Sequence, residues 1–203
     1  MEENKYLKAA RVAREENNVE DAKRYYEMVK VDDPENAEAK FFYEIYRLWD
    51  GKKGEWYNNF MSLCQVAPTA IRMLAESDMS DEEKAKLLDE MFDEAEGLPL
   101  KLNRILNELN HEGSEARRIR NGGREGMKML YGFGDTVEKY FSNNEAAMQV
   151  AVKAWKAGVY RQQQWYGMGL DKTLPASYTT KIQKFDSTYT MPKKAGCIQF
   201  GSK

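Results

Sequence analysis

Residues 4–36, NKYLKAARVAREENNVEDAKRYYEMVKVDDPEN, constrain this chain more than any other stretch. They encode two amphipathic helices joined by a tight turn. Tyr6, Ala9, Ala10 and Ala13 recur at helical spacing and form a narrow stripe of small residues behind one bulky ring. Small residues let a second helix approach closely. Asn17-Asn18 ends the first helix, because asparagine tolerates the left-handed backbone conformation. Ala22, Tyr25, Tyr26, Val29 and Val31 supply the apolar side of the second. Asp33-Pro34 stops it, since the residue before a proline avoids the helical region, and Asn36 caps the next helix. A single hairpin of this kind cannot bury its own apolar face, so the remainder of the chain has to pack against it.

This pattern resembles the tetratricopeptide family. There an aromatic opens the first helix, an alanine starts the second, an aromatic follows four residues later, and a proline closes the unit. Tyr6, Ala22, Tyr26 and Pro34 stand in those places, whereas Ala13 departs from the large residue usual there. The match covers about a sixth of the chain. The segment from Ala37 to Phe60 has the length of a second unit but a different texture. Phe41, Phe42, Tyr43, Ile45, Tyr46, Leu48 and Trp49 make its first helix apolar nearly all round, Gly51 ends it, and Trp56 stands where a small alanine is expected. The resemblance implies an all-α fold of antiparallel helix-turn-helix repeats, an α-α superhelix with additional helices. It also implies a peptide-contacting inner face made of Leu7, Arg11, Arg14 and Glu15, then Phe41, Phe42, Ile45 and Leu48. The Lys/Asn pair of a carboxylate clamp is absent, with Leu7 and Arg11 in its place and Phe42 replacing the second asparagine.

Helical patterning continues beyond the hairpin. Phe60, Met61, Leu63 and Cys64 end one helix, Ala67-Pro68 breaks it, and Ile71, Met73 and Leu74 start another. Ser80 and Glu83 form a capping box for a helix with Leu87, Leu88, Met91 and Phe92 on one stripe. Leu98, Leu102, Ile105, Leu106 and Leu109 form the next stripe, and residues 111–124 read as loop, short helix or glycine-weakened continuation. Gly132-Phe133-Gly134 reads as a tight inter-helical turn. Ser142-Asn143-Asn144-Glu145 reads as a second capping box, opening a helix with Met148, Val152, Trp155 and Val159 on one face, to about Gly167. Three regions follow: a repeat region at 1–65, further helices at 66–170, and a basic tail at 171–203. Residues 172–203 hold six lysines against one aspartate, a net +5, and leave −7 of the overall −2 on the rest. With no helical stripe evident there, the tail is expected to be mostly disordered, with a short extended piece near Tyr178–Phe185. MPKKAGC near the end resembles the entry to the C-terminal Cys segments of some tetratricopeptide-like bacterial proteins.

The chemistry-bearing residues are sparse. An apolar fraction of 42% over 203 residues supports a core, and a net charge of −2 sets up no field for nucleic acid or anionic membrane. No apolar run approaches the roughly 20 residues that span a bilayer, and the N-terminus lacks a signal-peptide core, so a cytoplasmic location is the expectation. Cys64 and Cys197 are too few and too separated for a disulfide framework. His111 is the sole histidine, and neither a metal set nor a nucleophile signature accompanies it. The ten carboxylates between Glu76 and Glu96 lack calcium-loop spacing and read as solvated helix faces. Arg117, Arg118, Arg120 and Arg124, around the Gly122-Gly123 pair, form the most basic patch and a possible anion site, though not a P-loop. Trp155, Tyr160, Trp165 and Tyr166 read as core or rim in preference to an aromatic cage. The expected function is a non-catalytic scaffold for an unknown protein or peptide, with no enzyme activity, cofactor or metal. The alternatives are a self-associating module, with helix 39–49 as a homodimer face, and a nucleic-acid or phosphate-binding regulator working through the arginine patch.

Overall fold

A computed structural model describes residues 4–52, 55–98, 114–164 and 170–194, and for residues 114–123 the backbone alone. These residues form eight helices: α1 Lys5–Glu15, α2 Val19–Asp32, α3 Ala37–Asp50, α4 Trp56–Glu76, α5 Asp81–Glu96, α6 Ser114–Phe141, α7 Glu145–Gln164 and α8 Leu174–Ile182. There is no strand among the described residues, and none of these helices is long and apolar enough to cross a membrane.

Asparagine caps four of the eight helix starts. Asn4, Asn18, Asn36 and Asn144 each accept a backbone N–H in the first turn of the helix that follows, from Tyr6, Asp21, Ala39 and Ala147. Asn17 has φ 55°, and the Asn18 N–H reaches back to the Ala13 carbonyl at 2.8 Å, a left-handed close to α1. Ser80 and Glu83 make the reciprocal capping box. The second expected box is corrected: Ser142 lies outside it, and Asn144 is the cap of α7.

Helices α1 to α4 pack in sequence order, each on the next. Then the order changes. Besides α3, α4 packs on α6, while α5 packs chiefly on α7 and also touches α3; α6 pairs with α7, and α7 carries α8. An aromatic chain threads this arrangement from Tyr46 and Tyr26 through Phe42 and Phe41 to Phe133 and Phe92, with ring centres 5.5–6.4 Å apart. It joins α2, α3, α6 and α5 in one continuous core.

Two expected breaks are absent. Pro68 lies inside α4, which runs unbroken from Trp56 to Glu76. The proline is exposed, so the bond it removes lies on the solvent side. Leu63, Ala67, Ala70 and Ile71 on the buried side hold both halves in line. Gly132 and Gly134 are in the interior of α6, not in a turn, and Gly122 and Gly123 are helical as well. A Cβ on Gly134 would stand 2.5 Å from Trp155 Nε1 and 2.8 Å from the Ala151 carbonyl, so here glycine lets α6 approach α7 closely. The extended piece near Tyr178–Phe185 is also corrected. Leu174 to Ile182 is helical, and the chain after it folds back with Asp186 accepting from Lys156 at 2.8 Å.

Candidate functional site

The eight residues implied as a peptide-contacting face separate into two groups. Phe41, Phe42, Ile45 and Leu48 are fully buried and unavailable to any ligand. The physical reason is α5: it packs on α3, and Phe92 with Phe133 of α6 fills the face that an open superhelix would leave to a peptide. In helix 39–49 the same burial leaves Lys40, Tyr43, Arg47 and Trp49 partly exposed. Leu7 is half-buried against the core. Arg11, Arg14 and Glu15 line a cleft of about 250 Å³ between α1 and α5, together with Glu38, Met79, Glu83, Lys86, Leu87 and Glu90.

The cleft is built around Glu38, in the first turn of α3 and only 3% exposed. Its carboxylate accepts from Arg11 Nε at 3.0 Å, from Arg11 Nη2 at 2.6 Å and from the Tyr26 hydroxyl at 3.0 Å. Burial, followed by the Glu38 charge, drives the Tyr26 hydroxyl pKa well above its ordinary value. Arg14 places its guanidinium 4.4 Å from the centre of the Phe42 ring and pairs with Glu90 of α5. Burial pulls the Arg14 pKa down, but the Tyr26 hydroxyl and Glu90 outweigh it and hold the group above its usual value. Arg14 Nη1 is shielded from water and has no hydrogen-bond partner. An unmet buried donor of this kind costs about 1–3 kcal/mol.

A second constellation lies on α6 and α7. Asp135 accepts from Trp155 Nε1 at 3.0 Å, the Tyr178 hydroxyl at 2.6 Å and Lys181 Nζ at 2.7 Å. Lys181 also pairs with Glu138 at 2.6 Å and stands 4.2 Å from the centre of the Trp155 ring. Burial pulls the Lys181 pKa down; the bonds to Asp135 and Glu138 outweigh that and leave it raised. Tyr131 and Tyr178 stack at 4.2 Å. Trp155 is therefore core, whereas Tyr160 is 45% exposed, so these two do not share a cage; Trp165 and Tyr166 lie outside the described residues.

Other candidates are quickly placed. Cys64 lines a groove of about 200 Å³ between α4 and α6 with Ala67, Ile71, Met129 and Phe133. Burial, with Glu125 nearby, pushes its thiol up to about 12, which keeps it protonated and inert as a nucleophile. Among the described residues no group of three or more His, Cys, Asp or Glu could hold a metal. His111 and the side chains of Arg117, Arg118 and Arg120 lie outside the described residues. Arg124 is half-buried and already engaged. Gly122-Gly123 is helical, one of the readings left open for residues 111–124.

Sequence reasoning reaches the α1 half of the cleft and not the α5 half. The available signal was Glu38 itself, a carboxylate at the head of a helix that is otherwise apolar nearly all round. Nothing local marks Asp135 or Lys181. No protein-family model, no curated protein and no solved structure matches the chain.

Proposed function

We propose that this chain is a non-catalytic protein-interaction scaffold and that the α1–α5 cleft is its recognition surface. The tetratricopeptide-like reading of α1 and α2 belongs to the same proposal. The observation that carries it is the cleft itself, a concavity of about 250 Å³ in which Arg11, Arg14 and Glu15 of α1 face Lys86, Leu87 and Glu90 of α5. Met79 and Leu87 offer apolar surface within it, and the rim carries both signs of charge in Glu15, Glu83 and Lys86. Such a mixed surface suits a polar peptide with one apolar anchor.

The test is capture from host lysate by the full chain and by its Lys86→Glu and Glu15→Lys variants, whose changed side chains are exposed and outside the core. A discrete protein partner, retained by the wild type and reduced about ten-fold or more by either charge reversal, supports the reading. A partner whose retention neither variant alters contradicts it. Size-exclusion mass across a dilution series, run beside it, reports self-association.

A further inference from the structure

The contact between α8 and the α6–α7 pair has two unequal halves. The α6–α7 half is complete without α8. Trp155 holds Asp135 through its indole N–H at 3.0 Å, and the Tyr131 hydroxyl is held by Gln162 Oε1 at 2.9 Å. The absence of side chains at Gly134 and Gly158 lets these two rings stand where they do. A Cβ at Gly134 would come within 2.5 Å of Trp155, and one at Gly158 within 2.7 Å of Tyr131. Asp135 and, one turn on, Glu138 then present two carboxylates beside an aromatic floor. Sites fixed by their own supporting bonds lose little on being emptied and refilled.

The α8 half is slight. Helix α8 buries Pro175 and Ile182 alone, against twelve residues buried by α7. What it supplies instead is polar and cationic. Lys181 enters between Asp135 and Glu138 over the Trp155 ring, and Tyr178 stacks on Tyr131 while donating to Asp135. Lys156 closes the far end on Asp186. Residues 170–194 carry five lysines and two aspartates, net +3, and meet a carboxylate-bearing face. A segment held mainly by partly exposed ion pairs, one stacked ring and two buried apolar residues opens locally before the core does.

We infer that the α6–α7 face is a second docking site, distinct from the α1–α5 cleft, for a basic helical segment with tyrosine and lysine three residues apart, and that α8 is its exchangeable resident ligand. The lysine is read by two carboxylates and an indole face, the tyrosine by a stacked ring and one carboxylate oxygen. The same segment supplied in trans competes for the face, at a disadvantage set by the high effective concentration of the tethered one.

The probe is a fluorescently labelled peptide spanning residues 171–190, titrated into the full-length chain. Against wild type, where the resident segment occupies the face, binding is weak. Against the full-length Lys181→Glu variant, whose own segment is repelled by Asp135 and Glu138, affinity rises about ten-fold or more. Adding Asp135→Asn to that variant removes the gain. Equal binding to wild type and to a Lys181→Glu chain of unchanged circular dichroism overturns the inference, as does a gain indifferent to Asp135. A second measurement needs no variant. Hydrogen exchange at the amides of Thr179 to Ile182 is expected to be faster than at those of Ala151 to Trp155, and to accelerate on raising salt. Exchange of both sets only through global unfolding overturns it as well.

Discussion

Arg14 and Lys181 make the same local arrangement in two parts of the molecule. Each is a cation over an aromatic ring with a carboxylate partner: Arg14 over Phe42 with Glu90, Lys181 over Trp155 with Asp135 and Glu138. What differs is the backing. Arg14 belongs to a helix locked by Asn4 and Asn17 and pressed into the core through Ala10 and Ala13. Lys181 belongs to a short helix with two buried residues. The comparison teaches that the ion pair does not decide whether a segment stays down; the apolar surface beneath it does. In the first setting the cation is a fixture of a cleft, and in the second it is a clasp.

The sharpest way to break that comparison is Glu38→Ala. It strands Arg11 and the Tyr26 hydroxyl at a nearly buried position and should cost about 3 kcal/mol, less than a wholly buried pair because Arg11 keeps some water. Urea unfolding of this variant beside Lys181→Ala, expected to lose about 1 kcal/mol or less, measures the contrast. Equal losses would remove the distinction between fixture and clasp.

The two glycines of α6 sharpen it further. Gly134→Ala drives a methyl group into Trp155 and the Ala151 carbonyl, and a loss of about 1–3 kcal/mol is expected. Gly132→Ala, two residues away, meets nothing within 4 Å, so it should gain about 0.5–1 kcal/mol from helix propensity alone. Opposite shifts of the urea midpoint are the expected result. Shifts of the same sign would mean that the close approach of α6 and α7 is not what requires glycine.

The smallest effect is at Asp186. Its bond to Lys156, then those to Thr188, hold its carboxyl down at about 2, against about 3.9 in an unfolded chain. A depressed folded pKa means the contact contributes above the unfolded value and is lost as pH falls through about 2. Carboxyl NMR should show the low midpoint, and Lys156→Gln should bring it back toward the ordinary range. A midpoint indifferent to Lys156 would detach this end of the segment from α7.

Much of the fold is written locally. Helix ends at Asn17, Asp33, Gly51 and Ser80 are readable because a cap or stop is a property of the residues at the boundary. Pro68, Gly132 and Gly134 are misleading for the opposite reason. Their effect depends on a helix distant in sequence: solvent lies beside Pro68, and Trp155 packs against Gly134. Helix α8 does carry a stripe at Leu174, Tyr178 and Ile182, but Ser177, Thr179 and Thr180 dilute it, and Asp135, which accepts from Tyr178 and Lys181, is more than forty residues earlier. The cleft is half legible. Arg11, Arg14 and Glu15 follow from the resemblance of the first hairpin. That α5 covers Phe41 and Phe42, and brings Lys86 and Glu90 to the rim, is decided by packing across the chain and has no local mark.

The most direct test of the scaffold reading is photo-crosslinking from the cleft rim. A photoreactive residue replaces Glu15 in the full chain in one preparation, and Lys139, exposed on α6 outside the cleft, in another. A discrete adduct with a protein partner from position 15 and none from position 139 is the predicted result. No adduct at position 15, or the same adduct from both positions, would contradict the assignment of the α1–α5 cleft as the recognition surface.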